Sequence, residues 1–191
     1  MGNIYLGAVL VFFIGAFAVK NIKTYFDTGA SIRGRSVKLT SSIVLSTLIY
    51  VLLLLRLSFL DAASLYEMES FHIGFVRQLG FVLVTIGFCL GLAALITMKK
   101  SWRVGIKYDQ KTELITHGIF SKSRNPYFLS YDILILGFIL IFPSPVLMVL
   151  YISLVWVFHY MILEEESYLK STHGSEYEDY QMKVNRYWTW S

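Results

Sequence analysis

Charged side chains are scarce in this sequence, so the few that flank or interrupt its apolar runs are the first place to look for chemistry. Arg124 stands before Asn125-Pro126 at the start of one apolar run, and Glu164-Glu165-Glu166 closes the next. A guanidinium and a carboxylate cluster at the ends of paired helices can grip a zwitterion, with one charge for each end of an amino-acid moiety. The plainer reading is that these are interfacial charges that pair with one another or with lipid, which is the default for charges at helix ends. Asp132 lies one turn into an apolar run, where a carboxylate is costly unless it is paired or wetted. It is either a polar contact in a cavity or a structural partner for Arg124 or a nearby tyrosine. His159 sits six residues before Glu165 with no second histidine or cysteine beside it, so we expect a hydrogen-bonded core residue and no metal site.

The elements that must position these groups are membrane spans. Of the 191 residues, 55% are hydrophobic and 16% are charged, against about a quarter charged in soluble domains. Five apolar runs are visible, at residues 4–19, 40–55, 79–98, 128–142 and 145–163. Each approaches the ~20 residues that cross a bilayer. The first has no basic residue before it and Lys20 and Lys23 after it, so it reads as a retained span and not as a signal peptide. Pro143-Ser144-Pro145 separates the last two runs. Proline removes backbone donors and fixes φ, so a tight hairpin and two antiparallel neighbours are expected there. The lone Cys89 reads as a small buried hydrophobe.

Fifteen of the 17 Lys and Arg residues fall in three segments, 20–39, 99–126 and the tail after 163. A five-span layout places all three on one side, and the loop carrying Asp61, Glu67 and Glu69 on the other. Basic loops stay in the cytoplasm, so the N-terminus is expected outside and the tail inside. These charges sit beside membrane ends, and no nucleic-acid partner is expected. In the tail, Gly174 is a natural helix stop, and Ser175 with Glu178 reads as a capping box. Tyr177, Tyr180 and Val184 then follow at helical spacing, which predicts a short amphipathic helix that folds back on the rest.

Several tracts of the second half share an order. Leu114-Ile115-Thr116-His117-Gly118-Ile119-Phe120 is followed by Arg124-Asn125-Pro126-Tyr127-Phe128. After the hairpin come Glu165-Glu166-Ser167-Tyr168-Leu169, then Gly174, Tyr177 and Tyr180, then Val184-Asn185-Arg186. In order and spacing these tracts resemble the isoprenylcysteine carboxyl methyltransferase and phospholipid methyltransferase superfamily of membrane enzymes, over residues 101–188. Phe120 and Phe128 stand where tyrosines are common in that family, which keeps the ring and removes the hydroxyl. Residues 1–100 carry no motif of the family.

The apolar runs predict an all-α integral membrane fold of about five transmembrane helices, with the fourth and fifth as a hairpin and a short cytosolic helix at the C-terminus, and the resemblance implies transmembrane helices with a cytosolic lid made by that tail. It divides the chain into three N-terminal spans, 1–100, and a methyltransferase core, 101–191. It implies S-adenosylmethionine as cofactor and a lipophilic or lipid acceptor drawn from the bilayer. The cofactor would lie against Thr112, Glu113, Leu114, Ile115, His117, Gly118, Phe120, Asn125, Pro126, Phe128 and Glu165. Backbone groups of residues 113–115 would read the adenine edge, and Glu165 would accept from the methionine amine. Arg124 would orient Glu166 or face the acceptor. A carboxylate acceptor needs no base, whereas an amine must first lose a proton, and Asp132 or Glu166 is then the candidate base. Two other readings stay open, a nicotinamide-binding membrane reductase relative and a non-catalytic membrane scaffold.

Overall fold

In the computed structural model the described residues are 2–29, 34, 36–58, 67, 74–106 and 113–190. All five apolar runs are helical. They form α1 (Gly2–Thr28), α2 (Val37–Leu57), α3 (Gly74–Thr97), α4 (Pro126–Ile141) and α5 (Pro145–His173), followed by the short α6 (Ser175–Lys183). Four of the five are long and apolar enough to cross a membrane. The fourth, α4, has 16 residues, or about 24 Å at ~1.5 Å per residue. The chain is an all-α, multi-pass integral membrane protein.

Local chemistry sets the helix ends. Ser36 caps α2 by accepting from the Leu39 amide at 3.0 Å, which satisfies a donor that the first turn leaves orphaned. Ser144 caps α5, and Pro145 and Pro126 occupy first-turn positions where their missing N–H costs nothing. At the other end of α5, Gly174 has φ +57, a conformation that side-chain-bearing residues avoid. That residue turns the chain directly into α6. The expected capping box at Ser175 is not what starts α6. Ser175 is already helical, and the carbonyl of Gly174 receives the amides of Tyr177 and Glu178. The glycine turn leaves no extended residue in which a serine cap could sit.

The hairpin of α4 and α5 forms as expected, yet neither helix has the other as its main partner. The largest interface of α4 is with α3, and that of α5 is with α2. Glycine explains the first. A Cβ on Gly87 would lie 2.6 Å from the Leu134 backbone nitrogen, and one on Gly137 would lie 2.7 Å from that of Val84. Lipid tails are as apolar as leucine, so helices in a bilayer associate through close packing of this kind. The shared core joins Leu10 and Phe13 of α1, Ile49 and Leu53 of α2, Val84 of α3, Leu134 and Phe138 of α4, and Leu154 of α5.

Candidate functional site

The segment between α3 and α4 meets the tail and is fixed by it. Arg124 donates its amide to the Asn185 carbonyl at 3.1 Å, and Thr189 donates its own to Lys122 at 2.8 Å. Tyr180 of α6 donates its hydroxyl to the Phe120 carbonyl at 2.6 Å. The predicted aromatic face of α6 thus finds its partner. Tyr177, Tyr180 and Val184 bury against Leu114 and Leu169. Burial pushes both phenols well above their ordinary pKa, so Tyr180 stays a neutral donor.

Glu166 organises the junction. The Glu166 residue is only 6% exposed. Its Oε1 accepts from Arg124 Nη2 at 2.8 Å and from Arg124 Nε at 3.2 Å, and Asn125 Nδ2 donates to it at 3.3 Å. Its Oε2 accepts from Arg186 Nη2 at 2.8 Å and Nε at 3.1 Å. The hydrogen bonds to Glu166 hold the Arg186 guanidinium above its ordinary pKa. Arg124 spends its remaining donors on the tail backbone, with Nη1 at 2.7 Å from the Val184 carbonyl and 3.3 Å from that of Gln181. A buried carboxylate between two guanidiniums is held in one geometry, because each of its oxygens is matched to a charged donor that it would be costly to lose. This cluster ties the end of α5, the start of α4 and the tail into one unit.

Beside that unit is a cavity of about 350 Å³, within the usual range for a small-molecule site. Phe120, Arg124, Asn125, Pro126, Phe128 and Glu165 line it from the second half of the chain. Trp102 and Arg103 line it from the segment after α3. Trp102 is pinned by its indole N–H, which donates to Asn21 Oδ1 at 2.7 Å, and by edge contacts with Phe17 and Tyr127. At the rim, Glu164 pairs with Lys38 at 2.7 Å. From the spans, Ile14 and Phe17 of α1, Tyr131 of α4 and Phe158 of α5 contribute apolar and aromatic wall.

The sequence-derived site residues therefore separate into groups. Phe120, Arg124, Asn125, Pro126, Phe128 and Glu165 converge on the cavity. Glu166 is adjacent but is turned into the arginine pair. Glu113, Leu114, Ile115, His117 and Gly118 are absent from the lining. Leu114 packs on the tail, Ile115 is buried, and Glu113, His117 and Gly118 are exposed. Thr112 lies outside the described residues. Asp132 does not line the cavity, and its Oδ1 is buried without a hydrogen-bond partner in the described structure. His159 is hydrogen-bonded as expected, with Nδ1 2.9 Å from the Tyr187 hydroxyl, but it is half-buried at the helix surface and not a core residue.

Sequence reasoning missed two contributions. Ser42, Ser46 and Tyr50 of α2 line the cavity. Their i, i+4, i+8 spacing within an apolar run was the available signal, since it places them on one helix face. Arg186 was read as part of a motif but given no place in the site, although it holds Glu166 as closely as Arg124 does.

Comparison with known proteins bears on what this arrangement serves. The phospholipid methyltransferase family model matches residues 75–176. A probable protein-S-isoprenylcysteine O-methyltransferase of Oryza sativa subsp. indica is 28% identical over 177 residues, which is 91% of this chain and 92% of that protein. Protein-S-isoprenylcysteine O-methyltransferase A of Arabidopsis thaliana is 28% identical over 158 residues, covering 81% of this chain and 80% of that one.

Proposed function

This chain belongs to the phospholipid methyltransferase family, and on that premise we propose that it transfers a methyl group from S-adenosylmethionine to a lipophilic acceptor held in the bilayer. The family and the relatives' names make the chain a membrane methyltransferase. The donor and the acceptor are our reading. The observation that carries it is the cavity's lining, which joins the motif residues Arg124, Asn125 and Glu165 to apolar and aromatic side chains of the spans.

The residues present fit the donor. Glu165 brings a carboxylate for an ammonium, Asn125 an amide, and Phe120 and Phe128 aromatic rings, a class of group that attracts a cation such as a sulfonium. When bound, S-adenosylmethionine would supply a methyl carbon already activated for in-line displacement. The protein's task is then to position and to exclude water. The Arg124–Glu166–Arg186 cluster holds the start of α4 and the tail at fixed separation, and so fixes Asn125 and Phe120 at the cavity. Glu166 is committed to two guanidiniums and acts by positioning. In this reading residues 101–191 hold the donor, while α1 and α2 wall the acceptor's side.

For the acceptor we favour a carboxylate on a prenylated cysteine, the class named for the relatives. It needs no base, and neither Glu166 nor Asp132 is placed to act as one at the cavity. We place the cavity mouth and tail on the cytoplasmic side, because the basic segments gather there. The test is calorimetric titration with S-adenosylhomocysteine, then transfer of labelled methyl to a prenylcysteine analogue and to an aminophospholipid in parallel nanodiscs. Binding with label in the prenylcysteine product is expected. Label in the aminophospholipid alone would overturn the acceptor, and binding of NADPH in place of S-adenosylhomocysteine would overturn the reaction.

A further inference from the structure

The chain's end presents an exposed aromatic group that the methyl-transfer reading does not use. Trp190 is 89% exposed, with Tyr187 and Trp188 each more than a third exposed. These rings are not on a loose end. The Asn185 side-chain amide donates to the Trp188 carbonyl at 3.1 Å, and the Asn185 backbone amide donates to Thr189 Oγ1 at 2.7 Å. Thr189 is in turn bonded to Lys122. Trp188 and Trp190 meet edge to face with centroids 6.4 Å apart. A segment so fastened holds large aromatic surface outward by construction, and exposed surface of that kind marks an interaction site.

One hydrogen bond identifies the surface it meets. Tyr187 bonds to His159, and His159 lies within the fifth apolar run. On the same helix Trp156 is 66% exposed and Tyr160 is 43% exposed, and their rings touch at 5.5 Å. Both belong to the outer, lipid-facing surface of the bundle. A tail residue that reaches a histidine inside a span cannot stand far from the lipid. The aromatic end of the tail is thus continuous with a face already against the bilayer.

We propose that Tyr187, Trp188 and Trp190 dock into the interfacial layer of the same bilayer that α5 crosses. Tryptophan and tyrosine favour that layer because an apolar ring and a polar N–H or O–H are satisfied together there. Met182, 78% exposed on α6, lies on the same tail, and Lys183 supplies a cation for lipid headgroups. The consequence is mechanical. Arg186 precedes this anchor directly, so a residue that grips Glu166 is held at the membrane surface together with the tail.

The test alters only exposed positions, Cys89 among them, whose thiol lies on the outer surface of α3 and not in the core as its residue type suggests. Trp190→Cys in a Cys89→Ser background is spin-labelled, reconstituted in phosphatidylcholine nanodiscs, and its relaxation is measured with oxygen and with a water-soluble nickel complex. The interface predicts strong oxygen access and weak nickel access. Dominant nickel access would place the ring in water, and protection from both would place it against protein, a second copy included. Either result overturns the proposal. A second measurement needs no label. In a Trp156→Phe background, which removes the lipid-facing tryptophan of α5 and leaves buried Trp102 with Trp188 and Trp190, acyl-brominated lipid should quench emission more than when Trp188→Phe and Trp190→Phe are added, and equal fractional loss would overturn the proposal by itself. Neither readout depends on methyl transfer, so failure here leaves the functional reading standing.

Discussion

Replacing Arg124 by lysine keeps the charge and removes the fork, which makes it a sharp test of how the site is held. The guanidinium makes two short bonds, 2.8 Å to Glu166 and 2.7 Å to the Val184 carbonyl, and two longer ones at 3.2 and 3.3 Å. A lysine ammonium is a point donor on a flexible stem and cannot reach a carboxylate and a carbonyl in the fork's geometry. The two short bonds are worth about 1.5–3 kcal/mol each as hydrogen bonds involving a charged group, and lysine recovers about one of them. The net loss is therefore about 1.5–3 kcal/mol, or roughly a 10- to 150-fold shift against the docked tail. Glu166 keeps Arg186, so no buried charge is stranded and the bundle should still fold.

The assay has three parts: helicity by circular dichroism, protease sensitivity of residues 174–190, and methyl transfer in nanodiscs. Arg124→Lys should retain helicity, expose the tail to protease and lose most transfer. Arg56→Lys is the matched control. Arg56 also pairs with a glutamate, Glu67, and lies over the Phe142 ring at 4.7 Å, but it does not line the cavity. Its replacement should leave transfer unchanged. Full activity and a protected tail in Arg124→Lys would refute the argument that the fork positions the site. Loss of helicity would show instead that Arg124 is needed for the fold itself.

Three further outcomes are expected. Glu165→Gln keeps the side chain's size and removes its charge, so S-adenosylhomocysteine binding by calorimetry should weaken by roughly 1.5–3 kcal/mol, and unchanged affinity would remove Glu165 from the donor site. Gly87→Ala drives a Cβ to 2.6 Å from the Leu134 nitrogen. It should destabilise the α3–α4 pair by about 1–3 kcal/mol, read as a lowered thermal midpoint, and a rise in stability would contradict the close packing. A reporter fused after Ser191 should be cytoplasmic and one inserted at Glu67 external, and the reverse pattern would overturn the orientation drawn from the basic segments.

The parts of the site that were legible in the sequence are those written locally along the chain. Five helices could be read from five apolar runs, because a bilayer demands that each span satisfy its own backbone. Arg124, Asn125, Pro126 and Phe128 could be read as one tract because they are contiguous and open a helix. The packing of α4 on α3 was not legible from the Pro143-Ser144-Pro145 turn, which fixes only that α4 and α5 run antiparallel. Gly87 and Gly137 decide the closer pairing, and their complementarity appears only when the two helices are superposed in space. The spacing of Ser42, Ser46 and Tyr50 does put them on one helix face, but nothing local to α2 says that this face meets a cavity. Hydropathy does not separate a lipid-facing side of a span from a protein-facing one when both are apolar.

The adjacent glutamates show where local reading reaches its limit. Successive residues on an α-helix point about 100° apart, so Glu165 and Glu166 cannot share a task at one point in space. That much follows from the sequence. Which of them enters the cavity depends on where Arg124 and Arg186 stand, and those two arrive from segments 42 and 20 residues away from Glu166. Two guanidiniums converge on Glu166 and Lys38 pairs with Glu164 at the rim, leaving Glu165 as the remaining carboxylate of the cavity lining. A pair that looks redundant in sequence is thus divided by its neighbours into a group that holds the site together and a group free to meet a ligand. Glu165→Gln should therefore spare the tail's protection from protease while weakening the ligand, and Glu166→Gln should release the tail first.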